Sequence, residues 1–113
     1  STKPYICRIR RGSQEETALP LYDISVGGIG IQVLEPLAFE TMEQLENCWI
    51  DLRDSGMLAV TLEVRYVMST ESRTGKTLFH MGCRFLNLSP LNETLIQRFM
   101  AHIEAERRAL LAP

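Results

Sequence analysis

The sequence predicts an all-β domain of about six antiparallel strands, arranged as a sheet or small barrel and closed by one C-terminal helix. Three observations support this prediction. Apolar and polar residues alternate along residues 5–87, polar segments rich in glycine and proline interrupt that alternation, and the apolar spacing becomes helical after residue 89. A chain of 113 residues suffices for one modest core. We therefore expect a single domain over residues 1–113, with strands at about 5–87 and a helix at about 90–111.

The first strands are predicted from short alternating runs. "YICRIR" at residues 5–10 places Tyr5, Cys7 and Ile9 on one face and arginines on the wetter face. The polar turn "RGSQEE" follows, and "ALPLYDIS" resumes extended structure, where Pro20 indicates an edge or a bulge. "IGIQVL" is predicted as a further strand, which Pro36 ends.

The middle of the chain is less regular. "AFETMEQLEN" at residues 38–47 fits either a short helical turn or an irregular crossover, and "CWIDL" fits a short strand. "MLAVTLEVRYVMS" is the clearest strand, and "TLFHMGCRFLNL" continues with the same period after a hydrophilic connection. Strict alternation predicts that one face of the clearest strand carries Val60, Leu62, Val64, Tyr66 and Met68.

The C-terminal segment has the pattern of an amphipathic helix. Leu91, Leu95, Phe99 and Ile103 recur every four residues, so their stripe is expected to bury against the sheet. Ser89 is a natural N-cap, and Pro90 occupies the first helical position, where its missing N–H costs nothing.

Composition narrows the classes of function. The net charge of −2 argues against a basic surface for DNA or RNA. Three cysteines without a C-x-x-C pair are a poor disulfide framework, and Cys7 and Cys83 are expected to be buried, free thiols in a reducing cytoplasm. No run of 18 apolar residues is present, so we expect neither a transmembrane segment nor a signal peptide.

Catalytic and metal-binding patterns are absent from the sequence. His80 and His102 are the two histidines, and neither has a partner at metal-ligand spacing. No local pattern indicates a nucleophile with its base and orienting acid. We therefore expect neither an enzyme nor a metal site.

The arginines leave two interpretations open. Arg8, Arg10 and Arg11 fit either a solvated strand face or a phosphate clamp, because a guanidinium donates two hydrogen bonds to phosphate at once. The same choice applies to Arg107 and Arg108, whose alternative role is favourable charge near a helix C-terminus.

The segment "DISVGG" carries the most specific signal. Its composition predicts a turn in which the Asp and Ser side chains cap backbone N–H groups and glycine supplies positive φ. In an extended segment Asp23 and Ser25 share a face, and Gly28 leaves the backbone bare beside them. A carboxylate can accept from the N1–H and N2–H groups of guanine, and a hydroxyl can bond a base edge or phosphate. This arrangement suits a purine nucleotide better than a metal ion.

The segment also carries a family resemblance. "DISVGGIGIQV" resembles the D/N-x-S-x-x-G motif of PilZ domains, with Asp23, Ser25 and Gly28 at the three marked positions. The similarity extends over nearly the whole chain, including "PYICRI", "HMGCRFLNLSP" and the last helix, and is greatest to the C-terminal domain of YcgR-type flagellar brake proteins.

The resemblance implies both a fold and a ligand. The fold is a six-stranded antiparallel PilZ-type β-barrel with a terminal helix, and the ligand is cyclic di-GMP, with no other cofactor. Asp23, Ser25 and Gly28 are the expected contacts, while Gly27 and Arg84 are weaker candidates. The implied output is control of bacterial motility from the cytoplasm, by contact with flagellar motor switch or stator proteins at the basal body.

One departure from the family pattern qualifies this expectation. The family's second motif, R-x-x-x-R, precedes the first strand, but "STKP" contains no arginine, and Arg8, Arg10 and Arg11 have the wrong spacing and position. We expect that the chain is a fragment of a longer protein with an upstream domain and binds cyclic di-GMP weakly or not at all. The alternatives are a divergent domain that does not bind the nucleotide and a ligand-independent protein-interaction module.

Overall fold

Alternating apolar residues build six strands in the computed structural model, which describes residues 4–111. A short 3₁₀ turn at Arg53–Ser55 separates the fourth and fifth strands. The main elements are β1 Ile6–Arg10, β2 Thr17–Ile24, β3 Gly28–Val33, β4 Gln44–Asp51, β5 Met57–Glu71, β6 Thr77–Leu86 and α1 Pro90–Leu111.

The strands close into a barrel in the order β1-β2-β3-β6-β5-β4, and β4 pairs back onto β1. Every neighbouring pair is antiparallel. The predicted fold class is therefore confirmed: a six-stranded antiparallel β-barrel with a single C-terminal helix. Closure leaves each of the six strands with a neighbour on both sides, which limits the exposed sheet edge.

The core fills the barrel interior with aliphatic side chains and thiols. Ile9, Ile31, Ile50 and Leu62 are at most 1% exposed. All three cysteines are free and buried, as predicted for Cys7 and Cys83. Burial raises the pKa of Cys48 and of Cys83 to about 12, because the low-dielectric core disfavours a thiolate.

Helix α1 covers the barrel mouth near the start of β1. Ser89 Oγ accepts from the Asn92 backbone N–H at 3.1 Å, which confirms the predicted N-cap. Ile96 and Phe99 are buried, and the ring of Phe99 meets that of Tyr5 edge-to-face at 4.8 Å between centroids. No helical segment within the described range combines the length and hydrophobicity that crossing a lipid bilayer requires.

Two details of the apolar pattern were predicted wrongly. Tyr66 and Met68 are 47% and 49% exposed. A register shift between Val64 and Tyr66 turns the side chains of the later part of β5 to the opposite face of the sheet from the one that strict alternation predicts. Val67 packs against the core in their place. Leu91 is also exposed, so the buried stripe of α1 begins after its first residues, with Leu95, Ile96 and Phe99.

The ambiguous segment at residues 38–47 is a loop that leads into β4. Its second half pairs with β5, where Gln44 lies opposite Glu63 and Leu45 opposite Leu62. Leu45 is buried in the core. The short strand predicted from "CWIDL" therefore begins four residues earlier than the apolar run suggested, at Gln44.

Candidate functional site

A tight hairpin joins β2 to β3 at the D-x-S-x-x-G segment. The Ser25 backbone N–H donates to the Gly28 carbonyl at 2.9 Å, and the Gly27 N–H donates to Ser25 Oγ at 3.2 Å. The predicted capping by serine is therefore present. The Phe85 N–H donates to the Gly27 carbonyl at 3.0 Å, so the hairpin is also tied to β6.

Gly28 of this hairpin serves close packing rather than positive φ. Neither Gly27 nor Gly28 lies in the left-handed region, which corrects the sequence-based expectation. A Cβ on Gly28 would collide with the Cys83 carbonyl and come within 2.9 Å of Arg84 Cα. Gly28 is thus needed because the backbones of β3 and β6 approach closely there.

Asp23 and Tyr66 lie over two paired glycines on the outer face of the barrel. Gly30 pairs with Asp23 on one side and with Gly82 on the other, and Gly82 pairs with Tyr66. The Asp23 carboxylate lies over Gly30, and the Tyr66 ring lies over Gly82, at positions that a Cβ would occupy. The groove so formed has a volume of about 250 Å³ and is also lined by Ser25, Gly27, Gly28, Ile29, Arg65 and Cys83.

The predicted site residues are brought together in this groove. Asp23, Ser25, Gly27 and Gly28 all line it. Within residues 4–111, no ion pair engages the Asp23 carboxylate, which leaves it available to a donor. Arg84 lies opposite Gly28 in the sheet and is therefore adjacent to the groove.

A buried carboxylate organises the arginines beside the groove. Glu63 is 4% exposed, and its Oε1 accepts from Arg84 Nε at 2.7 Å and from Arg65 Nη1 at 3.0 Å. These hydrogen bonds, that from Arg84 above all, hold the pKa of Glu63 below its ordinary value. Two guanidinium groups on one carboxylate leave a net positive charge on this cluster, with N–H donors still exposed.

Arg65, Tyr66 and Glu63 were not identified from the sequence. All three fall in "LEVRYV", where alternation places only every second residue outside. The bulge in β5 exposes Arg65 and Tyr66 together on the groove side. The two charged residues in this otherwise apolar run, Glu63 and Arg65, were the available signal.

The arginines near the N-terminus have structural partners away from the groove. Arg11 donates two hydrogen bonds to Glu43, at 2.8 and 2.6 Å, and its guanidinium lies 4.2 Å from the Phe39 ring centroid. Arg8 contacts Glu16 at 3.4 Å. These contacts favour the solvated-face interpretation over a phosphate clamp.

The two histidines are not assembled with other catalytic groups. His80 Nε2 lies 2.9 Å from Thr70 Oγ1, and His102 pairs with Glu106 on the exposed side of α1. Among residues 4–111, no group of three or more His, Cys, Asp or Glu side chains could hold a metal ion. The chemistry that the groove offers is hydrogen bonding and charge recognition.

Comparison with known proteins agrees with this architecture. The model of the PilZ domain family matches residues 2–102. Flagellar brake protein YcgR of Chromobacterium violaceum is 38% identical over 96% of this chain, and that of a Janthinobacterium species is 34% identical over 96%. The chain spans 45% and 44% of the length of these two relatives.

Solved structures show the same fold. The PilZ domain of Escherichia coli YcgR, solved with c-di-GMP, superposes with a TM-score of 0.80 at 22% identity, covering 96% of this chain and 87% of that one. MrkH of K. pneumonia gives a TM-score of 0.81 at 21% identity, covering 95% of this chain and 48% of that one. With the family model matching almost from end to end, the chain belongs to the PilZ domain family.

Proposed function

We propose that this PilZ domain is a receptor for cyclic di-GMP that regulates bacterial motility within a flagellar-brake-type protein, and that it is not an enzyme. The observation that carries the proposal is the convergence of Asp23, Ser25 and Arg65 in one groove, with Arg84 adjacent to it. Relatives named as flagellar brake proteins, and the structural likeness to a domain solved with c-di-GMP, support the same ligand.

Each group in the groove has a role that its chemistry suits. The Asp23 carboxylate would accept from the N1–H and N2–H of a guanine, and the Ser25 hydroxyl would bond a base edge or a phosphate oxygen. Because Gly30 and Gly82 have no side chains, the Asp23 carboxylate and the Tyr66 ring can lie against the sheet, where they would border a bound base. Exposed N–H groups of Arg65 and Arg84 would donate to phosphate oxygens.

The affinity of this chain by itself is expected to be low. The arginines of its groove are already partly engaged by Glu63, and the family's R-x-x-x-R motif is not among residues 4–111. Residues 1–3, just before the first strand, lie outside the described residues. Each charge-assisted hydrogen bond contributes roughly 1.5–3 kcal/mol, so a missing arginine pair lowers affinity by about a hundredfold or more.

Calorimetry on three proteins tests the proposal: this chain, the chain extended before Ser1 by a flexible segment with two arginines four apart, and the extended chain carrying Asp23→Ala. We expect weak or undetectable binding of cyclic di-GMP to the first and at least a tenfold gain in the second. In the third we expect a loss of about a hundredfold, with unchanged unfolding by urea.

Asp54→Ala in the extended chain is the matched control, because Asp54 is an exposed carboxylate in the 3₁₀ turn, away from the groove. Equal affinities of the Asp23→Ala and Asp54→Ala proteins would overturn the receptor proposal. Failure of the extended chain to bind would favour the ligand-independent interaction module instead.

The motility output is also part of the proposal. We expect the domain to act in the cytoplasm and to contact a flagellar motor switch or stator protein at the basal body. Pull-down of motor proteins with and without cyclic di-GMP checks this, and ligand-dependent capture that Asp23→Ala abolishes is the expected result.

A further inference from the structure

Strands β2 and β3 pair over only part of their length. Their pairing runs from Ile24 opposite Ile29 to Leu21 opposite Ile31 and then ends. Continuing the register would place Pro20 opposite Gln32, and proline has no N–H to donate to the ladder. Beyond this point residues 17–20 remain paired with β1, but not with β3.

A cleft opens where the two strands separate, at the barrel end opposite α1. Its volume is about 630 Å³, and it is lined by Arg11 and residues 17–20 and 32–39. Leu34 at its rim is 60% exposed, so the cleft is open to solvent. Leu19, Val33 and Leu37 belong to the core or pack against it, which gives the cleft an apolar floor.

The backbone of Ala18 is directed into this cleft. The Leu21 N–H donates to the Tyr5 carbonyl at 2.8 Å, so Tyr5 and Leu21 form a hydrogen-bonded pair between β1 and β2. Such pairs alternate along an antiparallel ladder, which puts Ala18, opposite Arg8, in the class whose N–H and C=O point away from β1. Within residues 4–111, the pairing of β3 with β2 does not reach Ala18.

The charged groups of the cleft leave a negative excess. Arg11 lines it, but both of its described hydrogen bonds go to Glu43. Glu35 lines it as well, and no ion pair within the described part of the chain engages that side chain. A cationic group is therefore the complementary partner for this rim.

We propose that this cleft binds an extended segment of a partner protein by β-strand addition. The segment hydrogen-bonds to the N–H and C=O of Ala18 and inserts one aliphatic side chain over Leu19 and Leu37. It places a lysine or arginine beside Glu35. Backbone hydrogen bonds supply affinity in this mode, and pockets for alternate side chains supply specificity.

Selection of random octapeptides displayed on phage, with this chain as bait, tests the proposal and requires no particular partner protein. We expect enrichment of peptides with alternating aliphatic residues and a flanking lysine or arginine. Synthetic versions should lose about tenfold in affinity for Ala18→Pro, which removes the edge N–H, while Ala18→Ser retains binding.

A second measurement does not depend on the folding of any variant. Methylating every second backbone nitrogen of a selected peptide removes those N–H donors without changing its side chains. Two such peptides are made, one for each alternate set of nitrogens, and methylation of the set that faces β2 should lower binding about tenfold. No enrichment, binding that tolerates methylation of both sets, or equal binding to the proline and serine variants at Ala18 would overturn the proposal. So would a dimer of the chain that Ala18→Pro dissociates, because the occupant would then be a second copy.

Discussion

Glu43 and Glu63 are both carboxylates bound by arginine, and they lie near each other because Gln44 pairs with Glu63, yet their arginines engage them differently. Glu43, in the loop just before β4, receives two hydrogen bonds from one guanidinium, that of Arg11, which also lies over Phe39. Glu63, beside the groove, receives one hydrogen bond from each of two arginines through a single oxygen. The first pair is charge-neutral, whereas the second cluster carries a net positive charge.

The difference teaches how one pair of residue types can serve structure or recognition. In the bidentate pair, the fork of Arg11 and both oxygens of Glu43 are matched, so the pair ties the loop before β4 to the end of β1. In the shared cluster, Glu63 orients two guanidinium groups but satisfies neither, and their side chains remain 49% and 54% exposed. An anion site requires guanidinium groups that are held in place and still have N–H donors available to the anion.

The largest expected effect comes from moving β3 away from the Glu63 cluster. Gly28→Val places a side chain against the Cys83 carbonyl and Arg84 Cα, so β3 and β6 must move apart at this point. We expect a loss of about 3 kcal/mol in the free energy of unfolding, measured in urea. Gly27→Ala is the control, because its Cβ would meet only Ser25 Oγ at 3.7 Å, and it should cost far less. Equal losses would show that strand spacing is not what Gly28 protects.

Glu63→Gln sharpens the recognition side of the comparison. Replacing the carboxylate removes the charge that holds Arg65 and Arg84 in place, so both become free to move into solvent. In the arginine-extended protein we expect the affinity for cyclic di-GMP to fall about tenfold by calorimetry. An affinity equal to that of the parent would mean that Glu63 does not position these arginines for ligand.

Glu43→Gln should lower the stability of the domain and leave its ligand affinity nearly unchanged. Loss of the bidentate ion pair to Arg11, whose groups are partly exposed, is expected to cost about 1 kcal/mol of unfolding free energy. Ligand affinity should stay within about twofold, since neither Arg11 nor Glu43 lines the groove or binds Arg65 or Arg84. Glu40→Gln, an exposed carboxylate three residues away, controls for the change of charge. A matching loss of affinity would erase the distinction between the two clusters.

The smallest expected effect is on the dependence of stability on pH. Arginine hydrogen bonds lower the pKa of Glu43 and of Glu63 below the ordinary 4.5. A lowered pKa in the folded state gives stability that is complete above the unfolded pKa and is lost as pH falls through the folded one. Urea unfolding between about pH 6 and 3 should therefore show a shallower decline for Glu43→Gln/Glu63→Gln than for the parent. Parallel curves would contradict the pKa shifts.

Much of the fold was predictable because local signals agreed with one another. Turn residues at the β2–β3 hairpin, the Ser89 cap and alternation in β1 and β6 each determine their own short segment. The site residues Asp23 and Ser25 were predictable for the same reason, as both lie on one extended segment. Their expected role in ligand binding remains a prediction.

The remaining features depend on contacts between distant segments. The bulge at Arg65 follows from the pairing of β5 with β6, so alternation alone could not show that Tyr66 faces the groove. Gly28 was expected to adopt positive φ, but its reason is the approach of Cys83, which lies far away in sequence. Residues 38–47 were ambiguous because only pairing with β5 fixes where β4 begins.

The three core cysteines make this domain convenient for site-selective chemistry. Their thiols are buried, and burial raises the pKa of each, so at neutral pH they offer neither access nor thiolate to an alkylating reagent. A cysteine introduced at an exposed position, such as Thr74 in the β5–β6 connection, would be the principal reactive thiol. A fluorophore or spin label can therefore be attached to the domain without first removing its native cysteines.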